Sequence, residues 1–139
     1  MMQPSVVKKI SEIISDGAKI SDPTWDGYAI INDDNMTYVI ANKNTKEAII
    51  VDPMREDWEA QLRVVDDLKG YRWIAVIDTH THADHISNTR ELSEKLKAPI
   101  VMHALAPSPR VHLRVARDVD FPTAAAPIKL LITPGHTQD

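Results

Sequence analysis

The 139-residue chain has no cysteine. Neither a disulfide framework nor a thiolate metal site is open to it, so any metal must be held by imidazole and carboxylate groups. The same absence fits a reducing compartment, and a cytoplasmic location is expected. Long apolar runs are also missing. Stretches such as EAIIVDP (47–53) and KLLITP (129–134) break off within a few residues, whereas a membrane-spanning helix needs roughly 20. Near the start, Lys8 and Lys9 fall inside the apolar stretch and interrupt any signal-peptide core. No membrane partner is expected. Charge of one sign is not clustered either: 16 basic against 20 acidic residues leave a net charge of −4, without the basic block that tracks a nucleic acid. No nucleic-acid partner is expected, and no repeat or low-complexity tract interrupts the chain. What remains is a globular composition, 43% hydrophobic and 26% charged, enough for one core and a single domain over residues 1–139.

Val6, Val7, Ile10, Ile13 and Ile14 recur at helical spacing between Pro4 and Gly17, which predicts a short amphipathic helix capped by Gly17. YAII (28–31), MTYVIAN (36–42) and EAIIVDP (47–53) read as strands joined by the polar turns NDDN and NKNTKE, a small antiparallel meander. From Glu56 to Lys69, Trp58, Leu62, Val65 and Leu68 share one helical face that Gly70 ends, and YRWIAVID (71–78) follows as a buried strand. Asp84 to Leu96 is expected as the next helix, with Asn88 and Glu91 spaced as a capping pair, and PIVMH (99–103) as the strand after it. Residues 104–127 hold four prolines and are expected to form a loop around one short helix at RVHLRVARD (110–118). A strand, helix, strand, helix, strand order requires a parallel or mixed sheet with helices against it, hence an α/β or α+β layered class. Trp25, Trp58 and Trp73 are expected to serve packing.

The stretch VIDTHTHADHIS (76–87) carries the chemistry. Val76 and Ile77 end a buried strand, so Asp78 onward leaves the sheet at its C-terminal edge, where open α/β sheets place their ligands. His80 and His82 can point the same way from an extended backbone, while Asp84 and His85 reach the same space from the start of the following helix. Neutral imidazoles and ionised carboxylates are ligands for zinc, iron or manganese, and two ions about 3.5–4 Å apart become possible here. Three of the chain's six histidines within this span, interleaved with acids, are costly to leave unpaired. TPGHT (133–137) repeats the arrangement from a second strand, whose Pro134–Gly135 turn leaves His136 at the strand end to complete a three-histidine set. Asp52 and Asp78, at strand ends beneath the motif, are candidate acceptors for the ligand imidazoles. His103 and His112 are expected to be structural or solvated.

THTHADH followed by TPGHT resembles the metallo-β-lactamase-fold superfamily, and TYVIAN with EAIIVDP is similar to its N-terminal hairpin and aspartate-bearing strand end. The resemblance spans roughly Tyr28 to Asp139. It implies an α+β fold, the αβ/βα sandwich, of which this chain covers mainly the N-terminal half. EAIIVDPMREDWEAQLRVVDDL and IDTHTHADHIS are most similar to the glutathione persulfide dioxygenases, and next to the glyoxalase II thioesterases. The first branch implies one ferrous ion, Fe(2+), held by His80, His136 and a carboxylate, and oxidation of a persulfide to sulfite and thiol. The second implies one or two Zn(2+) ions, with His80, His82 and His136 on one and Asp84 with His85 on another, and hydrolysis of a thioester. Asp84 is also the candidate catalytic residue. In either branch the substrate is a small thiol-derived molecule, glutathione persulfide or a thioester.

Two departures from the family pattern stand out. The carboxylate ligand that follows GHT by some tens of residues in family members has no counterpart before Asp139, and Ile86, Ser87 and Asn88 replace the usual glycine-rich helix start. The expected domain is therefore C-terminally incomplete. Three readings follow: a sulfur oxygenase, a thioester hydrolase, or a non-catalytic half-domain that keeps the motif. An uncovered apolar sheet face would also favour a homo-oligomer.

Overall fold

The computed structural model describes residues 5–9, 25–32, 35–80, 87–107, 110–120 and 129–130. Period-two burial builds its first half. In β3 (Met36–Asn42), Thr37, Val39 and Ala41 are buried while Met36 and Tyr38 are exposed, so the strand presents two distinct faces. It pairs antiparallel with β2 (Trp25–Ile31) on one side and β4 (Glu47–Val51) on the other, and β1 (Val6–Lys9) extends the sheet beyond β2. Between β3 and β4 the turn is made by Asn42, whose Oδ1 accepts the amides of Asn44 at 2.8 Å and Thr45 at 3.0 Å while its carbonyl accepts that of Lys46.

Past β4 the chain becomes a series of right-sized crossovers. A 3₁₀ turn (Arg55–Asp57) leads into α1 (Trp58–Asp67), whose core side is Ala60, Gln61 and Val64 rather than the expected Trp58, Leu62 and Val65, which lie half-buried at its flanks. Leu68 continues the buried side, and Gly70, at φ +90, takes the left-handed turn that ends the element. β5 (Arg72–Ile77) then runs parallel to β4, α2 (Thr89–Leu96) returns the chain, and β6 (Ile100–His103) runs parallel to β5. The cap after α2 is Lys97 at φ 53, where glycine is usual; a lysine there costs about 1–2 kcal/mol. β7 (Leu113–Val115) closes a seven-stranded sheet in sequential order, β1 to β7. A two-stranded ribbon pairs β8 (Val119–Asp120) with β9 (Lys129–Leu130).

Each sheet face has its own core. Both helices cover one face, where Ile30, Val39, Ile50, Val64, Trp73, Val76 and Leu92 pack together. On the other face Ile49, Ala75, Ile77, Val101 and Val115 cluster, flanked by half-buried Ile40, Val51 and Leu130. Central strands therefore read as continuous apolar runs, as Ala48, Ile49 and Ile50 do, all fully buried. The mixed sheet with helices laid against it is the α+β layered class expected from the element order.

Three sequence expectations are corrected. Val6–Lys9 is a strand, not the start of a helix, because its backbone completes the edge of β2 over the register Val6↔Ile31 to Lys9↔Tyr28; residues 10–17 lie outside those described. The segment expected as a helix at 110–118 contains β7, since Leu113 and Val115 alternate with polar neighbours and pair with Val101 and His103. α2 starts at Thr89, five residues later than expected, because Ser87 is held in an antiparallel bridge with Met54. Asn88 does occupy the N-cap, but its side chain caps nothing; its amide instead donates to Gln61 Oε1 at 2.7 Å. Trp73 is buried and Trp58 half-buried in packing positions, and the Trp25 side chain lies outside the described ones.

Candidate metal centre

Parallel register sets the site. Because Val51 lies opposite Ile77, the two strands end level with each other, and Asp52 and Asp78 leave the sheet side by side. Asp52 adopts φ 55, a left-handed conformation that aspartate tolerates better than most residues. Its amide donates to the Ile77 carbonyl at 2.8 Å, and its own carbonyl accepts the Thr37 hydroxyl at 2.7 Å, so the backbone is fixed from both neighbouring strands.

The Asp52 carboxylate reaches across to the first residues of the motif. Oδ1 accepts the Thr79 amide at 2.8 Å and Oδ2 the Thr79 hydroxyl at 2.7 Å. Thr79 Oγ1 also lies 2.9 Å from His80 Nδ1. A hydroxyl has one proton, and here it goes to the carboxylate; Thr79 Oγ1 therefore accepts from Nδ1–H. That places the lone pair of the neutral His80 ring on Nε2, the nitrogen a metal would take. The imidazole, half-buried, is thus oriented through a carboxylate–hydroxyl relay.

The far end of the motif is fastened to the same place. Buried Asp78 accepts the Ser87 hydroxyl at 3.1 Å from each of its oxygens, and Thr89 contributes its amide, 3.2 Å from Ser87 Oγ. The Asn88 amide donates to the Pro53 carbonyl at 2.8 Å. Below them a buried polar bridge runs from the Asn88 side chain to Gln61, whose Nε2 donates to the Met54 carbonyl at 2.6 Å. Asp78 and Ser87, on either side of the motif, are therefore held together. His103 ends β6, two residues beyond the Val101 that pairs with Ile77. Its Nδ1 accepts the Leu105 amide at 3.1 Å.

Of the ligands read from the sequence, His80 lies among the described residues; His82, Asp84, His85 and His136 lie outside them. Among the described residues no three His, Cys, Asp or Glu side chains gather closely enough to hold a metal ion. The donor chemistry nonetheless fits a borderline metal, since the tautomer set through Thr79 puts the His80 lone pair on Nε2 with Nδ1 hydrogen-bonded, as in a ligating histidine. Thr79 and Gln61 have no part in the sequence reading, and Ser87 enters it only as a replacement in the glycine-rich helix start. Gln61 alone carried a signal, as a polar residue on a helix face that is otherwise apolar. His112 is exposed, as expected, yet its Nδ1 accepts the Ile100 amide at 2.9 Å.

Comparison with known proteins converges on one group. The family described as the Metallo-beta-lactamase superfamily matches residues 32–137. A hydroxyacylglutathione hydrolase of Synechococcus sp. is 32% identical over 110 residues, covering 76% of this chain and 42% of that protein. The mitochondrial persulfide dioxygenase ETHE1 of Bos taurus is 26% identical over 103 residues, covering 73% of this chain and 39% of that protein. Among solved structures, ETHE1 from Myxococcus xanthus superposes with a TM-score of 0.63 at 29% identity, over 75% of this chain and 45% of that one. The chain thus spans about two fifths of the length of the curated relatives it matches.

Proposed function

Because the chain belongs to the metallo-β-lactamase superfamily, we propose that it contributes the motif-bearing part of a metal centre acting on glutathione-derived sulfur compounds. The observation that supports this reading is the Asp52–Thr79–His80 relay, which sets the His80 tautomer with its lone pair on Nε2. In the persulfide dioxygenase form, His80, His136 and a carboxylate would hold one Fe(2+), whose contribution when bound is to bring oxygen and the persulfide sulfur together. The residues of this chain supply orientation: Asp52 fixes Thr79, Thr79 fixes the His80 tautomer, and the Asp78–Ser87 contact closes the motif segment on itself. Residues 1–139 act in this reading as one domain, in the cytoplasm.

A hydrolytic reading is favoured by one comparison, the 32% identity to a hydroxyacylglutathione hydrolase. There His80, His82 and His136 would hold one Zn(2+), and Asp84 and His85 a second, with Asp84 also the catalytic residue. Metal analysis of the purified protein separates the readings. Iron near one per chain supports the oxygenase, paired zinc the hydrolase, and no tightly held metal a non-catalytic half-domain. His80→Ala should abolish tight metal binding while His112→Ala preserves it; equal losses would refute the assignment of His80.

A further inference from the structure

Where β6 begins, a cleft of about 610 Å³ opens between α2 and residues 110–112. That volume is within the roughly 300–1,000 Å³ of small-molecule sites. Eight residues of α2, about 12 Å at 1.5 Å per residue, separate Lys97 at its cap from the motif end.

The lining of this cleft is cationic. Arg90, Lys97 and Arg110 line it beside the His112 ring, and Glu94, the one carboxylate of the lining among the described residues, meets Arg90 Nε at 3.3 Å. These cations come from separate parts of the chain and gather on a protein whose net charge is −4, so composition does not explain them. The C-terminus of α2 carries about half a negative charge, which favours a cation such as Lys97 at its end. Two backbone features hold the group in place. Lys97 occupies the left-handed cap that glycine usually fills. His112 and Ile100 exchange hydrogen bonds: the Ile100 amide donates to His112 Nδ1 at 2.9 Å, and the His112 amide donates to the Ile100 carbonyl at 2.9 Å. With Nδ1 accepting, the neutral ring carries its proton on Nε2 and is a donor in the lining. Ala98 and Ile100 add an apolar floor.

We propose that this cleft is a binding site for a small molecule bearing clustered anionic oxygens, a phosphoryl or polycarboxylate group, held by Lys97, Arg110 and His112. The site does not depend on the metal chemistry. The test uses the 139-residue protein, isotope-labelled and freed of metal on a chelating resin, titrated separately with pyrophosphate and with citrate. The expected result is a saturable shift of the Ile100 amide and His112 ring signals; tighter binding of pyrophosphate identifies a phosphoryl ligand, and of citrate a polycarboxylate. The double variant Lys97→Gln/Arg110→Gln should weaken binding at least about tenfold, whereas Lys43→Gln/Lys69→Gln, with the same loss of charge on exposed turns, should change it less than about twofold. Equal weakening in both double variants, or no saturation at either signal by about 10 mM of either anion, would overturn the proposal.

Discussion

At the scale of single residues, Asp52 combines a left-handed backbone with two acceptor contacts to Thr79, and through Thr79 it sets the ring of His80. Removing partners that orient a ligating histidine commonly lowers metal affinity about 10–100-fold. Asp52→Ala should show a loss of that size in competition titration against a chromophoric chelator. Asp52→Asn tolerates the same backbone and keeps a carbonyl acceptor for the Thr79 amide, so it should lose less. Tyr28 offers a separate test of burial. Its half-buried position raises the phenol above the ordinary 10.0, and Asp26, Asp67 and Tyr71 add to the rise while Lys9 opposes it. The fold therefore favours the protonated ring: the associated stability is complete below pH 10.0 and falls as pH rises through the higher folded value. In denaturant unfolding above pH 10.0, Tyr28→Phe should lose stability less steeply than the unaltered protein.

At the scale of elements, α1 and the start of α2 are joined to the β4 end by polar groups inside the core. Gln61, fully buried, accepts from Asn88 and donates to Met54, and truncating it strands both partners without water. Gln61→Ala should cost about 2–4 kcal/mol in chemical denaturation, more than an exposed change such as Gln→Ala on a solvated helix face. This bridge also marks where the sequence ceased to be readable. β2 to β6 and α1 followed from alternation, helical spacing and Gly70, because each signal is local. Val6 and Val7 fit helical and extended spacing equally, and only the backbone edge of β2 decides between them. Val111, Leu113 and Val115 alternate with Arg110, His112 and Arg114 as a strand does, a period-two signal that wins over the helical reading of 110–118 once β6 offers its edge. Of the candidate site, the sequence placed His80 just past the end of β5, while His82, Asp84, His85 and His136 lie outside the described residues. The Thr79 relay was not legible, since it rests on two parallel strands ending level.

At the scale of the molecule, the face opposite the helices keeps Met36, Tyr38 and Leu113 exposed beside its own apolar cluster. Such a surface favours association, and sedimentation of the 139-residue protein is expected to show a coefficient that rises with concentration; a concentration-independent monomer would refute this. The Asn42 turn carries a consequence of another kind. Its side chain satisfies two amides within three residues, so β3 and β4 can meet without help from distant sequence. Contacts of such short separation form on a timescale of about 1–10 μs, well ahead of parallel crossovers that must first close long loops. The hairpin is then expected to be the nucleus on which the motif-bearing end is assembled last. Asn42→Ala should accordingly slow refolding while leaving the unfolding rate nearly unchanged in stopped-flow measurements, and a mutation of the Asp78–Ser87 contact should do the reverse.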